Sequence, residues 1–261
     1  MPEGDSVYRL AERLRRSLDG RVLRTGRLNV ASCATADLAG RAVVGHDTWG
    51  KHLLTRFDGG LTLHTHLRMD GQWSVVRAGR RLPSRLYPDV RVHLATVDGP
   101  TAYGLRLPVV DLVPTADERQ VVGHLGPDPL RADFDAADAV RRLGSDPERP
   151  VKAALLDQRL IAGLGNLWAN ELCFLRGLYP WTPVDEVDLV ALVRLAARAL
   201  RVSATVPGQY QVTTGNHRRG ESHWVTGRAH RPCLRCGTPV RVRAETTTER
   251  RTWWCPRCQP A

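Results

Sequence analysis

The chain has 261 residues, of which 42% are hydrophobic, with a formal net charge of +11 and a sequence pI of about 10.1. This composition supports a packed core and excludes a disordered chain, and no apolar run approaches the ~20 residues of a membrane helix. The acidic start, with Glu3 and Asp5, does not resemble a secretory signal, so a cytoplasmic protein with a polyanionic partner is expected, a basic protein without nucleic acid being the alternative.

Residues 5–18 are predicted to form a helix, with Asp5 or Ser6 as its N-cap and Gly20 as its end. The apolar residues on one face of that helix are Val7, Leu10, Leu14 and Leu18. From about 21 to 113 the pattern consists of short alternating segments separated by glycine turns. The clearest predicted strands are 52–57, 61–67 and 90–97. This pattern favours an antiparallel sandwich.

Beyond residue 120 the pattern becomes helical, and a cysteine-rich tail ends the chain. The predicted helices are 134–143, 151–160, 167–176 and 184–203, followed by a polar, glycine-rich stretch at 207–227. In the tail, 239–243 and 252–254 alternate like the strands of a hairpin. An α+β protein with three parts is therefore predicted, at 1–115, 120–226 and 227–261.

Two Cys-x-x-Cys pairs, eighteen residues apart, occupy this tail. They consist of Cys233, Cys236, Cys255 and Cys258. Four thiolates at such spacing can surround one Zn²⁺ tetrahedrally, and a fragment this small needs the metal to fold. Two disulfides or a redox pair are the alternatives, which the lack of a secretory signal disfavours. The other two cysteines, Cys33 and Cys173, lie in apolar contexts and are expected to be buried and inert.

The segment 158–171 predicts a corner between two helices, because Gly163 and Gly165 precede a new helix at Asn166. Glycines let a backbone come close to a ligand, and a helix N-terminus offers amide donors that suit a phosphate. An ordinary corner with an asparagine cap explains the same spacing equally well.

The N-terminus itself could supply a nucleophilic amine. Removal of Met1 would leave Pro2 with a free secondary amine, and an α-amino group has a pKa well below that of lysine. The carboxyl group of Glu3 adjoins it, and an amine beside a carboxyl group suits Schiff-base chemistry at a sugar.

Five segments, in collinear order over residues 2–259, resemble the formamidopyrimidine-DNA glycosylase and endonuclease VIII family. The start Met-Pro-Glu-Gly-Asp is similar to the family's N-terminal signature in its endonuclease VIII form. The other four resemble the lysine hairpin (50–54), the void-filling loop (66–71), the helix–two-turn–helix (155–171) and the last zinc-finger strand (250–258). Asp5 and Ser6 depart from the Pro-Glu of many relatives, and 208–223 does not match the loop that covers oxidised purines.

The resemblance implies an N-terminal β-sandwich with an N-terminal helix, a helical helix–two-turn–helix domain and a zinc-finger β-hairpin. It implies a bifunctional glycosylase and AP lyase in which Pro2 attacks the anomeric carbon of a flipped nucleotide. Glu3 would act as acid and base on the deoxyribose, and Lys51 would hold a phosphate beside it. Elimination on both sides of the sugar would leave a gap in the strand.

The same resemblance assigns further DNA contacts. Asn166 and Arg250 would hold phosphates beside the lesion, Met69 would fill the hole that a flipped base leaves, and Arg68 would pair with the orphaned base. Damaged duplex DNA is the expected partner, with single-stranded DNA as a second form. The expected enzyme is a monomer, associated with the nucleoid, that prefers oxidised pyrimidines.

Several residues have a simpler structural interpretation. His64 and His66 could bind a metal, but a hydrogen-bonded core role is favoured because no third ligand is evident. The pair Trp253 and Trp254 is expected to pack the finger rather than stack bases, and Glu171 is expected to form a helix salt bridge. The competing functions are a DNA-binding protein without catalysis and an RNA-binding zinc-ribbon protein.

Overall fold

The computed structural model describes residues 2–245 and 250–261, which divide into two compact units. Unit 1 contains Pro2 and Ser6–His124, and unit 2 contains Glu3–Asp5 and Leu125–Ala261. The predicted boundaries 1–115, 120–226 and 227–261 stay a prediction. No helix in these described stretches combines the length and apolar character that crossing a membrane requires.

Unit 1 contains most of helix α1 and eight strands in two antiparallel sheets. Helix α1 is Gly4–Leu18, and the strands are β1 Leu23–Leu28, β2 Val43–Trp49, β3 His52–Phe57, β4 Leu61–His66, β5 Gln72–Val76, β6 Val90–Thr96, β7 Thr101–Leu105 and β8 Val109–Pro114. One sheet has the order β1-β6-β7-β5 and the other β2-β3-β4-β8. The predicted sandwich is confirmed.

One apolar core lies among both sheets and α1, because each element presents an apolar face to it. Leu14 and Leu18 of α1 are fully buried there, together with Leu63 of one sheet and Leu94 of the other. The apolar face predicted for the first helix and the apolar positions predicted in the strands therefore belong to the same core. A short helix, α2 at Arg119–Val122, follows the last strand.

Unit 2 is helical, with a two-stranded hairpin near its end. The helices are α3 Ala136–Leu143, α4 Val151–Leu156, α5 Asn166–Arg176 and α6 Leu189–Thr205, and the strands are β9 Arg241–Ala244 and β10 Arg251–Trp254. Trp168 and Leu172 of α5 pack in the centre of the helical core with Leu200 of α6. The hairpin packs separately, with Val240 and Cys255 against Phe174 of α5.

Two predicted helices differ at one end from the apolar pattern by more than a turn. The helix predicted at 151–160 ends at Leu156, because the Asp157 carboxylate accepts the backbone N–H of Arg159 at 3.0 Å and turns the chain. The helix predicted at 184–203 begins at Leu189, because the Asp188 side chain caps it by accepting the N–H of Ala191 at 3.0 Å.

Candidate active-site and DNA-contact residues

Glu3 is buried at the N-terminus of α5, with an exposed fraction of only 1%. Its two carboxylate oxygens accept backbone N–H groups from Gly165 (2.7 Å), Leu167 (2.8 Å) and Trp168 (3.3 Å). The donors that a helix N-terminus offers to an anion are thus given to an internal carboxylate. The expectation that these amides receive a DNA phosphate is therefore wrong.

Close backbone approach explains the glycines of this corner. The N–H of Gly4 donates to the carbonyl of Gly163 at 2.8 Å, and a Cβ on Gly4 would lie 2.9 Å from the Gly163 Cα. A Cβ on Gly165 would overlap the side chain of Glu3. The glycines thus hold Glu3 against the corner.

Asn166 begins α5 but does not cap it. The residue at the cap position is Gly165, and the Asn166 Nδ2 donates instead to the carbonyl of Arg251 in β10 at 2.9 Å. One turn later, the Asn170 Oδ1 accepts the N–H of Trp253 at 3.1 Å. Two asparagines therefore tie the start of α5 to the hairpin strand that follows Arg250.

Glu171 is fully buried on the same helix, and it does not form the expected salt bridge. Its carboxylate accepts the backbone N–H groups of Trp224, Val225 and Thr226 at 2.8–3.1 Å and the hydroxyl of Thr213. These partners show that Glu171 is an anchor for the stretch that follows α6. The sequence carried no signal for this role, since the partners lie more than forty residues away.

Lys152 lies beside a cavity of about 610 Å³ in unit 2. Its ammonium group donates to the Thr252 hydroxyl at 2.7 Å, and that hydroxyl donates to the Glu245 carboxylate. The basic residues that line the cavity are Arg149, Lys152, Arg159 and Arg250, with the acidic residues Asp157 and Glu245. Arg250, a predicted phosphate contact, thus lines a cavity with three other basic residues, a grouping that the sequence did not reveal.

Lys152→Met is expected to remove a pH dependence of stability. Burial lowers the pKa of Lys152 to about 8 in the folded chain, against 10.5 for an ordinary lysine, so the unfolded chain binds more protons between those values. Stability of the wild type should therefore rise relative to the variant as pH increases from about 8 to about 10.5. Urea unfolding of both proteins across this pH range measures the difference in their free energies of unfolding.

Lys51→Met, which removes the other lysine of the chain, is the control for a general loss of charge. A stability difference between wild type and Lys152→Met that stays constant from about pH 8 to about pH 10.5 would contradict the assigned pKa.

Lys51, Arg68 and Met69 lie at one end of the second sheet of unit 1. Lys51 is half-buried in the two-residue turn between β2 and β3. His52, the first residue of β3, pairs with His66, the last of β4, so the loop after β4 starts beside that turn. Arg68 has a φ of +45°, and Met69 is 66% exposed. An exposed large apolar side chain is the property that the void-filling prediction requires.

A hydrogen-bonded chain of histidines lies behind this end of the sheet. The buried His64 bonds through Nδ1 to the Asp111 carboxylate at 2.9 Å and through Nε2 to His52 at 2.7 Å. Burial lowers the pKa of His52 to about 3 and that of His66 to about 4, so both are neutral at pH 7. The hydrogen-bonded interpretation is confirmed for His64, and His66 accepts the N–H of Arg68.

The four tail cysteines form the metal-binding group. Their sulfur atoms all lie within 4.8 Å of one another, and among the residues with described positions no other histidine, cysteine or carboxylate group meets this condition. All four are free thiols, and the Cys236–Cys255 and Cys233–Cys258 sulfur distances, 3.4 and 4.0 Å, are too long for disulfides. All four ligands are thiols, the set that suits a closed tetrahedral site. These cysteines can hold a metal ion.

Trp253 has the packing role in the finger that was expected of it, whereas Trp254 packs against residues outside the finger. Trp254 packs edge-to-face against Trp181, with ring centroids 5.0 Å apart, and Trp253 joins the small core of the finger. Cys33 and Cys173 are buried, and burial raises the pKa of the Cys173 thiol to about 12.

Two family profiles match the chain. The formamidopyrimidine-DNA glycosylase N-terminal domain matches residues 1–106, and the formamidopyrimidine-DNA glycosylase H2TH domain matches residues 125–206. The chain is 49% identical to the "Probable endonuclease 8 2" of Streptomyces coelicolor, over 99% of this chain and 94% of the relative. It is 38% identical to the "DNA-(apurinic or apyrimidinic site) lyase Nei2" of Mycolicibacterium smegmatis, over 100% of both.

Among solved structures, the Fpg (MutM) protein of Lactococcus lactis, in complex with a DNA that contains N7-benzyl-Fapy-dG, superimposes with a TM-score of 0.78. The two chains are 21% identical and each is covered completely, so this likeness concerns the fold. The matched profiles cover the sandwich and the helical corner, and the bacterial relatives match over nearly the full length. The chain belongs to the formamidopyrimidine-DNA glycosylase and endonuclease VIII family.

Proposed function

We propose that this protein is a bifunctional DNA glycosylase and AP lyase of base excision repair, with the secondary amine of Pro2 as nucleophile. The observation that carries the proposal is the burial of Glu3, the next residue, against three backbone amides of the helix corner. A carboxyl group fixed beside the N-terminal amine suits acid–base work on the sugar that the amine attacks. The name of the Mycolicibacterium smegmatis relative supports the lyase activity.

The proposed reaction begins when the Pro2 nitrogen bonds to C1′ of a flipped nucleotide and the N-glycosidic bond breaks. The base leaves with the bonding electrons and takes up a proton, and Glu3 protonates the ring oxygen as the sugar opens to an iminium. Loss of the C2′ proton expels the 3′ phosphate, and loss of the C4′ proton then expels the 5′ phosphate. Water releases Pro2. Met1, which must be removed first, lies outside the described residues.

Damaged DNA is the proposed partner, as duplex and as single strand. Lys51 would hold a phosphate, and the neighbouring Arg68 and Met69 would enter the space left by the flipped base; their location at one end of a sheet supports a joint role. Asn166 can offer a phosphate its second amide hydrogen, since Nδ2 carries two and the Arg251 carbonyl accepts one. Arg250 lies among other cations at the cavity.

Lys51→Ala is expected to lower the salt dependence of DNA binding by a slope of roughly 0.9, the value for one lost duplex phosphate contact. Asn166→Ala should weaken binding with an unchanged slope, because the amide is neutral. Arg198→Ala, which removes a charge from the exposed side of α6, is the control. Fluorescence anisotropy at several salt concentrations measures the slopes, and an unchanged slope for Lys51→Ala would exclude its phosphate contact.

We propose that oxidised pyrimidines and abasic sites are preferred over 8-oxoguanine opposite cytosine. The polar stretch 208–223 lacks the sequence of a purine-covering loop, and the Gly-Asp after Glu3 is of the endonuclease VIII form. Single-turnover excision of thymine glycol, 5-hydroxyuracil and 8-oxoguanine from matched oligonucleotides tests this preference. Faster release of 8-oxoguanine would reverse it.

Borohydride trapping tests the chemistry itself. The wild type is expected to form a covalent adduct with abasic DNA at its N-terminal peptide, and Pro2→Gly, which keeps an amine of different geometry, should form less. Binding without an adduct would indicate a DNA-binding protein without catalysis. Stronger binding to RNA than to duplex DNA would favour an RNA-binding zinc-ribbon protein.

We further propose that the four-cysteine group holds one Zn²⁺ as a structural ion. Four protein thiolates would fill its coordination sphere, so the ion would supply folding energy and take no part in the reaction. The proposed enzyme is a cytoplasmic monomer that associates with the nucleoid through DNA.

A further inference from the structure

The cavity of about 610 Å³ beside Lys152 has more positive than negative charge on its wall. Among the described residues four basic side chains and two carboxylates line it, and all of them belong to unit 2. The carboxylate of Asp157 is already neutralised, because it pairs with Arg149 at 3.1 Å and with Arg159 at 2.7 Å. The charge of one guanidinium group in this trio therefore remains available to a bound anion.

Lys152 adds a second cation whose donors are only partly used. Its exposed fraction is 4%, and its ammonium group has three N–H donors. Its hydrogen-bond partner among the described residues is the Thr252 hydroxyl at 2.7 Å, and this hydroxyl lies between Lys152 and the Glu245 carboxylate. A buried ammonium group with unused donors is costly until a ligand accepts them. The lowered pKa of Lys152, about 8, agrees with this cost.

The other part of the wall is apolar. Leu156, Pro180 and Trp181 line the cavity together with the charged groups. The volume is far larger than a bare anion needs and lies in the range of pockets that hold small organic ligands. Cations beside aliphatic and aromatic surface suit a phosphate group that carries a nucleoside, because the sugar and the base can lie against the apolar side chains.

The excess of charge distinguishes between two kinds of phosphate. A phosphodiester within a DNA strand carries one negative charge, whereas a phosphate monoester carries about 1.5–2 negative charges at pH 7. A wall with two more basic than acidic groups matches the monoester better. Elimination on both sides of the sugar, as proposed above, turns the two phosphates beside the lesion into monoesters at the new strand ends.

We propose that this cavity binds a phosphate monoester, with Lys152 as its central donor and Arg149 and Arg250 beside it, and that its ligand is the phosphate-bearing end of a cleaved DNA strand. Arg250 would then contact the same phosphate before and after cleavage. The identity of the ligand rests on the proposed lyase reaction, which supplies such ends, and inorganic phosphate has the same chemistry. A bound end would keep the gapped product on the enzyme.

The first test measures binding of inorganic phosphate by calorimetry at constant ionic strength. Ala153 is exposed on α4 and lines the cavity, so Ala153→Glu adds a negative charge there without touching the buried bonds. Its affinity for phosphate should be about tenfold or more below that of wild type, because like charges repel. Ala153→Gln, of equal size and without the charge, is the matched control and should bind as wild type does.

Lys152→Met tests the central donor directly. Loss of one charge-assisted hydrogen bond should weaken phosphate binding about tenfold or more. Arg198→Met, which removes a charge from the exposed side of α6, should leave the affinity unchanged. The Ala153 variants decide the matter if Lys152→Met does not fold. Absence of saturable phosphate binding in wild type, or equal affinities of Ala153→Glu and Ala153→Gln, would overturn the proposal.

The second test identifies the source of the phosphate with gapped duplexes that are already cleaved. Their strand ends at the gap carry either phosphate or hydroxyl groups, separately on the 3′ and the 5′ side. At least one phosphate-bearing end should bind wild type about tenfold more tightly than its hydroxyl counterpart, and Ala153→Glu should lose this preference. Phosphate binding without any preference between ends would exclude the DNA end and leave inorganic phosphate as the ligand. Because these duplexes need no turnover, the result is independent of Pro2, whose failure would appear in borohydride trapping.

Discussion

Glu3→Gln is expected to lower single-turnover base excision by about 10²–10⁴-fold, the usual cost of removing a general acid or base. Affinity for damaged DNA should be nearly unchanged. A glutamine oxygen in place of Oε2 can still accept the N–H groups of Gly165 and Trp168, so the corner keeps two of its three bonds. The variant can no longer exchange a proton with the sugar.

Excision and binding should be measured on the same damaged oligonucleotide. Gly165→Ala is the companion variant: it retains the carboxyl group, but the added Cβ would overlap the Glu3 side chain and displace it. Both variants should therefore lose excision. Glu3→Gln lacks the carboxyl group, and Gly165→Ala keeps the carboxyl group but moves it out of position. Wild-type excision by Glu3→Gln would remove Glu3 from the mechanism.

Cys255→Ser is expected to release the metal and abolish specific DNA binding. Metal binding supplies about 10–16 kcal/mol to the folding of small zinc modules, far more than the few apolar side chains of this hairpin contribute. Without it, β10 should lose its bonds to Asn166 and Asn170, and Arg250, the residue before β10, should lose its position. Hydrogen exchange over residues 233–245 and 250–258 should become fast, while the helices remain protected.

Cys33→Ser is the matched control, because it makes the same change in unit 1, where Cys33 contacts the Val110 carbonyl and no metal group. Metal analysis of the purified proteins should give one zinc per chain for wild type and for Cys33→Ser, and none for Cys255→Ser. Normal DNA binding by a zinc-free Cys255→Ser protein would refute the structural role of the metal.

The sequence alone determined the family, the β-sandwich and the cysteine cluster. These features follow from local sequence patterns. The patterns are the alternation of apolar and polar residues within strands, the apolar face of the first helix, which ends at Leu18, and two Cys-x-x-Cys pairs whose spacing suits one metal ion. Local patterns suffice because each strand or helix must present its own apolar face to the core, and each thiol pair forms half of a metal site by itself. The ends of α4 and α6 were misplaced because short-range side-chain caps override apolar periodicity.

Only the tertiary structure decided what the buried polar residues do. Glu3, Asp5 and Glu171 are all fully or almost fully buried, and their partners lie between about 40 and about 200 positions away in the chain. In sequence a buried carboxylate looks the same as one on the surface, and it becomes distinct only when folding brings donors around it. For this reason the backbone amides of the helix corner, a pattern that suits a phosphate, were found to bind Glu3 instead.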